Sequence, residues 1–249
     1  MTIGYHHLVH IRIVAVLVLA LFLGFAAADE TIADSPWDAK KPTIVLDPGH
    51  GGNDQGALGP GGKTEKTIML GLARQLKAQL TLDYRVELTR KDDYAVDNNE
   101  RAVIANQLKA DLFISLHAGA SFRPHAQGII IFYAQTSGPE SGHANDGKDV
   151  TTEENRQMWQ ELQAAHIFNS RRLAENVKKS FAVQFPDMAC RIRQAPVAVL
   201  QGVDTPAILI EGGYLTNPAW EQAVNENGYR TAFLAAIANG IKEFLPSQP

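Results

Sequence analysis

Short apolar runs alternate with stretches of helical periodicity from residue 42 to residue 245. Apolar runs rich in β-branched residues and bounded by turn residues are typical of buried strands. They predict six strands, at residues 43–47, 84–89, 111–116, 128–133, 197–200 and 207–211. Apolar residues at helical spacing predict helices over residues 65–80, 99–109, 168–185 and 218–245.

The order of these elements predicts the fold class. Strands that are separated by helices form mostly parallel sheets that are covered on both faces. We therefore expect a single three-layer α/β domain over residues 42–246, with a twisted, mostly parallel sheet of about six strands and helices on both faces. In such sheets, functional sites form beyond the carboxyl ends of the strands.

Residues 135–163 differ from the rest of this domain. They are rich in Gly, Asn, Asp, Glu and Thr and show no strand pattern. Such a composition is typical of exposed loops. We expect a surface insertion that consists of a loop followed by a helix from about residue 152.

The N-terminal segment has the features of a signal peptide. An apolar run that is shorter than a membrane-spanning helix follows Arg12, and small residues at positions 26–28 suit a cleavage site. We predict that residues 1–28 are a signal peptide, that residues 29–41 are a linker, and that the protein is exported to the periplasm or elsewhere in the cell envelope. An uncleaved anchor is the alternative.

Composition narrows the kinds of site to expect. The formal net charge is −4, and no basic patch of the kind that nucleic-acid binding requires is evident. The single cysteine, Cys190, cannot form an internal disulfide, and we expect it to be a small buried hydrophobic residue. Any metal would therefore be bound by histidines and carboxylates.

Four such side chains stand where strands end or a helix begins. His50 follows the first strand among glycines, His117 ends the third strand, and Glu211 ends the sixth strand. Glu65 opens the first long helix after a glycine-rich loop, so it can reach the same rim. Two histidines and one glutamate form a zinc set with a fourth position open for water, and a further carboxylate must then transfer protons. We expect His50, Glu65 and His117 to bind zinc and Glu211 to be catalytic.

Other motifs do not support a different chemistry. The sequence GPGGKT at residues 59–64 lacks the first glycine of a phosphate-binding loop, because Ala57 stands at that position. Ser115 precedes His117, but no nucleophile-elbow motif surrounds it, which disfavours a serine hydrolase. We expect His143 to lie in a solvated loop and His166 on a helix surface.

Three segments together resemble one known family. They are IVLDPGHGGNDQGALGPGGKTEK, LTRKDDYAVDNNERAVIANQLKADLFISLHA and APVAVLQGVDTPAILIEGGYLTNP. They are similar, in the same order, to the zinc-dependent N-acetylmuramoyl-L-alanine amidases of the bacterial cell wall. The resemblance covers about residues 42–245, so residues 42–246 would be the amidase catalytic domain.

The resemblance implies a reaction and assigns residues to it. It implies hydrolysis of the amide between N-acetylmuramic acid and L-alanine of the peptidoglycan stem peptide, for cell-wall remodelling or daughter-cell separation. The motif positions of the zinc ligands are His50, Glu65 and His117, and that of the catalytic glutamate is Glu211. One departure is Gly119, where family members usually carry Asn or Asp.

The insertion suggests regulation. Some relatives place an autoinhibitory helix at this position, and Glu153, Glu154 or Glu161 would then cap the metal until an activator protein removes the helix. A wall of the substrate cleft is the alternative. Two other functions also remain open, namely a zinc peptidase that cuts within the stem peptide and a non-catalytic wall-binding protein that kept the fold.

Overall fold

The computed structural model describes residues 41–135 and 153–246, without the side chains of residues 153–156, 159 and 160. The predicted signal peptide, most of the predicted linker, His143 and the first part of the insertion therefore lie outside the described residues. Within the described ranges, no helix is both long enough and apolar enough to cross a membrane.

Six strands and five helices form the domain in the described residues. The strands are β1 (Thr43–Pro48), β2 (Arg85–Leu88), β3 (Leu112–Gly119), β4 (Ile129–Ala134), β5 (Cys190–Ala195) and β6 (Ala207–Tyr214). The helices are α1 (Glu65–Leu80), α2 (Asn98–Gln107), α3 (Glu153–Gln184), α4 (Pro218–Ala223) and α5 (Asn227–Phe244), and a short 3₁₀ helix spans Ala198–Leu200.

The strands form one sheet in the order β2-β1-β3-β6-β4-β5. Strands β2, β1, β3 and β6 are mutually parallel, whereas β4 runs antiparallel to β6 and β5 runs parallel to β4. The carboxyl ends of β1, β3 and β6 therefore meet at one edge of the sheet. The predicted fold class, a mostly parallel sheet of about six strands, is confirmed.

Alternation along the strands divides the core between the two faces of the sheet. Ile44 and Leu46 pack into a large core with helices α1, α3 and α5, whereas Val45 and Phe113 pack into a smaller core with α2 and the 3₁₀ helix. Successive side chains of a strand point to opposite faces. The domain therefore has three layers, with helices on both sides of the sheet.

The predicted fifth strand was wrong. Residues 198–200 form the 3₁₀ helix, in which Val199 and Leu200 are buried in the smaller core, and the actual fifth strand is β5. Strand β5 lies at the edge of the sheet, and its exposed Arg191 and Arg193 alternate with half-buried neighbours. Charged residues are a usual feature of edge strands. In β5 they leave no continuous apolar run, so the sequence pattern did not predict a strand there.

Two predicted helices also have different bounds. The helix predicted at residues 168–185 is the second half of α3, which begins at Glu153, as expected for a helix starting near residue 152. The helix predicted at residues 218–245 is broken into α4 and α5. At the break, Asn225 Nδ2 donates to the Glu221 carbonyl at 2.6 Å, a side-chain hydrogen bond that competes with helix continuation.

Candidate metal centre

Three of the predicted site residues come together at the carboxyl edge of the sheet. His50 lies in the loop after β1, Glu65 is the first residue of α1, and His117 lies in β3. Glu65 Oε2 is 3.0 Å from His50 Nε2, and Glu65 Oε1 is 2.9 Å from His117 Nδ1. One ligand atom from each residue lies within 4.8 Å of the other two. This geometry makes the triad a candidate metal site.

The carboxylate of Glu65 is held from several directions. The side chain is buried, and its two oxygens accept hydrogen bonds from the backbone N–H groups of Ala57 and Ala118, both at 2.8 Å. Burial alone would raise the pKa of Glu65, but the hydrogen bonds from His117, His50 and Ala57 outweigh it and lower the pKa to about 2. Glu65 is therefore a fixed anion at neutral pH.

His50 adopts a backbone conformation that residues other than glycine rarely adopt. Its φ is 62°, in the left-handed region, where a residue costs about 1–3 kcal/mol and usually marks a functional constraint. Its Nδ1 lies 2.8 Å from Asp54 Oδ2, which leaves Nε2 facing Glu65. Burial lowers the pKa of His50, but the hydrogen bonds and negative charges of Glu65 and Asp54 raise it by more. The pKa of His50 is therefore raised above its usual value. Asp54 was not among the residues predicted from the sequence.

Two buried arginines hold the loop that carries His50. Arg90 donates to the carbonyls of Pro48 at 2.9 Å and Gly49 at 2.8 Å. Arg101 donates to the carbonyls of Pro48 at 3.1 Å and His50 at 3.0 Å. The guanidinium groups thereby fix three successive carbonyl groups, and this keeps His50 in its strained backbone conformation.

The positive charge of Arg101 is balanced by Asp47, the penultimate residue of β1. Asp47 is fully buried and accepts hydrogen bonds from Thr89 Oγ1 at 2.5 Å, from Ser115 Oγ at 2.6 Å and from Arg101. Ser115 therefore has a structural partner, in line with the expectation that it is not a nucleophile. This network was not predicted from the sequence, although an aspartate within a buried strand is a recognisable signal because a buried charge requires a partner.

Two glycines are required by close approaches around the triad. A Cβ atom on Gly49 would lie 2.3 Å from Cε1 of His117. Gly56 has a φ of 65°, and a Cβ there would lie 2.5 Å from His50 Cδ2 and 2.6 Å from Glu65 Oε2. The glycine-rich segment between His50 and Glu65 thus allows the backbone to pack directly against the ligands.

The GPGGK segment, which lacks the spacing of a phosphate-binding loop, is held by a buried carboxylate. Glu221 of α4 accepts hydrogen bonds from the N–H groups of Gly61 at 2.6 Å and Lys63 at 3.1 Å. A Cβ on Gly59 would lie 2.3 Å from Glu221 Oε1, so this position also requires glycine. Because the loop leads into Glu65, Glu221 fixes the approach to the triad.

Glu211 lies beside His117 in the sheet. The two residues are paired in the register of β3 and β6, and the Glu211 side chain is partly buried. Burial raises the pKa of Glu211, the negative charge of Glu65 raises it further, and the charge of His117 acts in the opposite direction. A carboxyl group with a raised pKa next to a metal site suits proton transfer.

Other residues singled out from the sequence lie elsewhere. His166 lies in α3 with its side chain 24% exposed, and its Nε2 lies 3.5 Å from Asp204 Oδ1. Cys190 is partly buried against the large core, and burial raises the pKa of its thiol to about 11. Glu161 is exposed and accepts a hydrogen bond from Gln157 at 3.3 Å.

Comparisons with known proteins identify relatives over nearly the whole domain. Residues 44–243 match the family model described as N-acetylmuramoyl-L-alanine amidase. The amidase AmiC of Neisseria meningitidis serogroup B is 33% identical over 223 residues, which cover 84% of this chain and 54% of that protein. The amidase AmiA of Salmonella typhimurium is 31% identical over 241 residues, which cover 86% of this chain and 83% of that protein.

A solved structure gives the same result. The catalytic domain of CwlV, an N-acetylmuramoyl-L-alanine amidase from Bacillus (Paenibacillus) polymyxa var. colistinus, matches with a TM-score of 0.67 and 27% sequence identity. The match covers 83% of this chain and 99% of that domain, whereas the chain spans only about half of AmiC. By the extent of these matches, the chain belongs to the N-acetylmuramoyl-L-alanine amidase family of hydrolases.

Proposed function

We propose that the protein is a zinc-dependent amidase of peptidoglycan that uses His50, Glu65 and His117 to bind the metal. The substrate bond is the amide between N-acetylmuramic acid and L-alanine of the stem peptide. The observation that carries the proposal is the convergence of the triad, with ligand atoms within 4.8 Å of one another, in a chain of this family.

The donor set fits zinc. Two imidazole nitrogens and one carboxylate oxygen are the ligands of many catalytic zinc sites, in which a fourth position stays open for water or substrate. Asp54 beside His50 Nδ1 fits as well, because histidine ligands usually direct their second nitrogen to a carboxylate. When bound, zinc lowers the pKa of a water molecule towards 7 and polarises a carbonyl group.

Glu211 would transfer the protons. A raised pKa allows its carboxylate to accept a proton from the attacking water and to donate that proton to the departing alanine nitrogen. Glu65, with a pKa of about 2, is unsuited to this role because it stays ionised throughout the useful pH range. Two carboxylates in one site thus have environments that separate their tasks.

Localisation and regulation remain predictions that follow from this function. Peptidoglycan lies outside the cytoplasm, so the predicted signal peptide at residues 1–28 agrees with a periplasmic or other envelope location. Capping of the metal by Glu153, Glu154 or Glu161, relieved by an activator protein, also stays a prediction. Deletion of residues 138–160, which removes Glu153 and Glu154, would raise basal activity if either residue caps the metal, and unchanged or lost activity would contradict a cap by these two residues.

Product analysis tests the reaction and separates it from its alternatives. Mass spectrometry of isolated sacculi treated with the protein should detect intact stem peptides and glycan strands free of peptide. Shortened peptides that are still attached to the glycan would instead identify a peptidase. Sacculi that are bound but unchanged would identify a non-catalytic wall-binding protein.

A further inference from the structure

Strand β6 contains one extra residue opposite β3, immediately after Glu211. His117 pairs with Glu211 and Gly119 pairs with Tyr214, so two residues of β6 lie opposite one residue of β3 between these pairs. Without this bulge, Tyr214 and Glu211 would point to opposite faces, because side chains alternate along a strand. The bulge places Tyr214 on the same face as Glu211, as bulges next to active sites often do.

Two glycines and a tryptophan fix the bulge. A Cβ on Gly212 would lie 2.5 Å from Phe233 Cζ, and a Cβ on Gly213, whose φ is 154°, would lie 2.1 Å from Trp220 Nε1. The buried Trp220 donates from Nε1 to the Gly212 carbonyl at 3.0 Å. The position of Tyr214 is therefore set by a packed backbone rather than by a free loop.

Gly119 leaves room for the tyrosine ring beside the carboxylate of Glu211. A Cβ on Gly119 would lie 3.1 Å from both Cδ1 and Cε1 of Tyr214 and 3.4 Å from Oε2 of Glu211. The ring and the carboxylate therefore border the same small volume. Tyr214 is only partly buried and is the last residue of β6, at the edge of the sheet that carries the triad.

We propose that Tyr214 is a further catalytic residue, whose phenol donates a hydrogen bond to the carbonyl oxygen of the amide that is cleaved. The inference rests on the proposed function. A substrate amide within reach of Glu211 would also lie near the ring of Tyr214, because the two side chains border the same volume. Negative charge grows on the carbonyl oxygen as water attacks, and a preorganised neutral donor stabilises that charge.

The principal test compares Tyr214→Phe with the control Tyr133→Phe in the full-length protein loaded with zinc. Both tyrosines are partly buried in the sheet, but Tyr133 pairs with Ile208 near the start of β6, at the end away from Glu211. With a soluble muramoyl-peptide as substrate, Tyr214→Phe should lower kcat about tenfold or more and leave KM, zinc content and melting temperature unchanged. Tyr133→Phe should match the parent in all four.

A kcat for Tyr214→Phe equal to that of the parent would overturn the proposal. A fall in kcat that is explained by lost zinc or a lower melting temperature would overturn it as well, because the ring would then be structural. If the parent protein itself fails to cleave the muramoyl–alanine bond, the proposed function fails instead, so the two failures are distinguishable.

Gly119→Ala provides a second test through the space that the ring occupies. The new methyl group would push the ring of Tyr214 away by a few tenths of an ångström, whereas its 3.4 Å approach to Glu211 is an ordinary contact. Gly119→Ala should therefore lower kcat in the parent and have a much smaller effect in Tyr214→Phe, which already lacks the hydroxyl. Effects that simply add would contradict the proposal, because independent sites are additive.

Discussion

Arg101 Nη2 donates to the backbone carbonyl of His50 at 3.0 Å, and the same guanidinium group binds the buried Asp47. A strained loop residue and a strand carboxylate are thus held by one side chain from α2. Breaking a buried ion pair by removal of one partner costs about 3–5 kcal/mol, because the other charge is left uncompensated. Arg101→Met should therefore lower the free energy of unfolding by about that amount.

Chemical denaturation of the metal-free protein measures this loss. The double variant with Asp47→Asn and Arg101→Met serves as the control, because it removes both charges and should recover part of the stability. A single variant as stable as the parent would show that the pair does not support the loop. Zinc affinity should fall in the single variant, since His50 loses the donor to its carbonyl.

Replacement of Glu211 by glutamine should separate metal binding from turnover. The amide side chain cannot carry the proton, and loss of general acid–base catalysis typically lowers rates 10²–10⁴-fold. Zinc content should stay at the parental level, because Glu211 is not one of the three clustered ligands. Glu87→Gln is a matched control, since Glu87 is a partly buried carboxylate on strand β2, where it lies 3.4 Å from Lys77 of α1. A near-normal rate for Glu211→Gln would refute its assignment.

Zinc affinity should depend on pH because of His50. Burial lowers the pKa of His50, but Glu65 and Asp54 raise it above its usual value in the metal-free protein. Zinc binds the unprotonated imidazole, so at a pH below this pKa the binding of zinc must displace a proton from His50. The apparent zinc affinity should therefore fall about tenfold per pH unit for each proton displaced. Competition with a fluorescent chelator between pH 8 and pH 5.5 measures this zinc affinity. A constant affinity across this range would contradict the prediction.

Glu221→Ala should loosen the loop that leads into Glu65. Two backbone N–H groups, those of Gly61 and Lys63, would lose their acceptor, at a cost of about 2 kcal/mol for each group that stays buried and unsatisfied. Zinc affinity should fall as the start of α1 becomes less fixed, and isothermal titration measures it. Glu226→Ala, at the start of α5, is the control. Equal zinc affinities in the two variants would show that the loop is positioned without Glu221.

Three of the candidate site residues, His50, His117 and Glu211, could be predicted from the sequence because of a general property of parallel sheets. His117 and Glu211 lie in adjacent strands near their carboxyl ends, and His50 follows the next strand along. Once the strands were predicted as parallel, these three side chains had to share an edge. The role of Glu65 could not be predicted from the helical pattern alone, because a glutamate at the start of a helix is common. Its prediction as a metal ligand depended mostly on the motif resemblance.

The supporting residues could not be predicted in the same way. Arg101 and Asp47 are 54 positions apart in the sequence, and their contact depends on how α2 packs against the sheet. Tyr214 reaches the site only through a bulge that no periodic pattern encodes. Strand β5 was missed because it lies at an edge, where arginines alternate with half-buried residues.

Zinc titration of the metal-free protein, with products identified by mass spectrometry, tests whether the triad binds a catalytic zinc ion. Intact stem peptides should be released from sacculi at a rate that rises with zinc and saturates at one equivalent per chain. His117→Ala, which removes one member of the triad, should show no such saturation. Release of intact stem peptides at full rate without metal, or release only of shortened peptides, would contradict it.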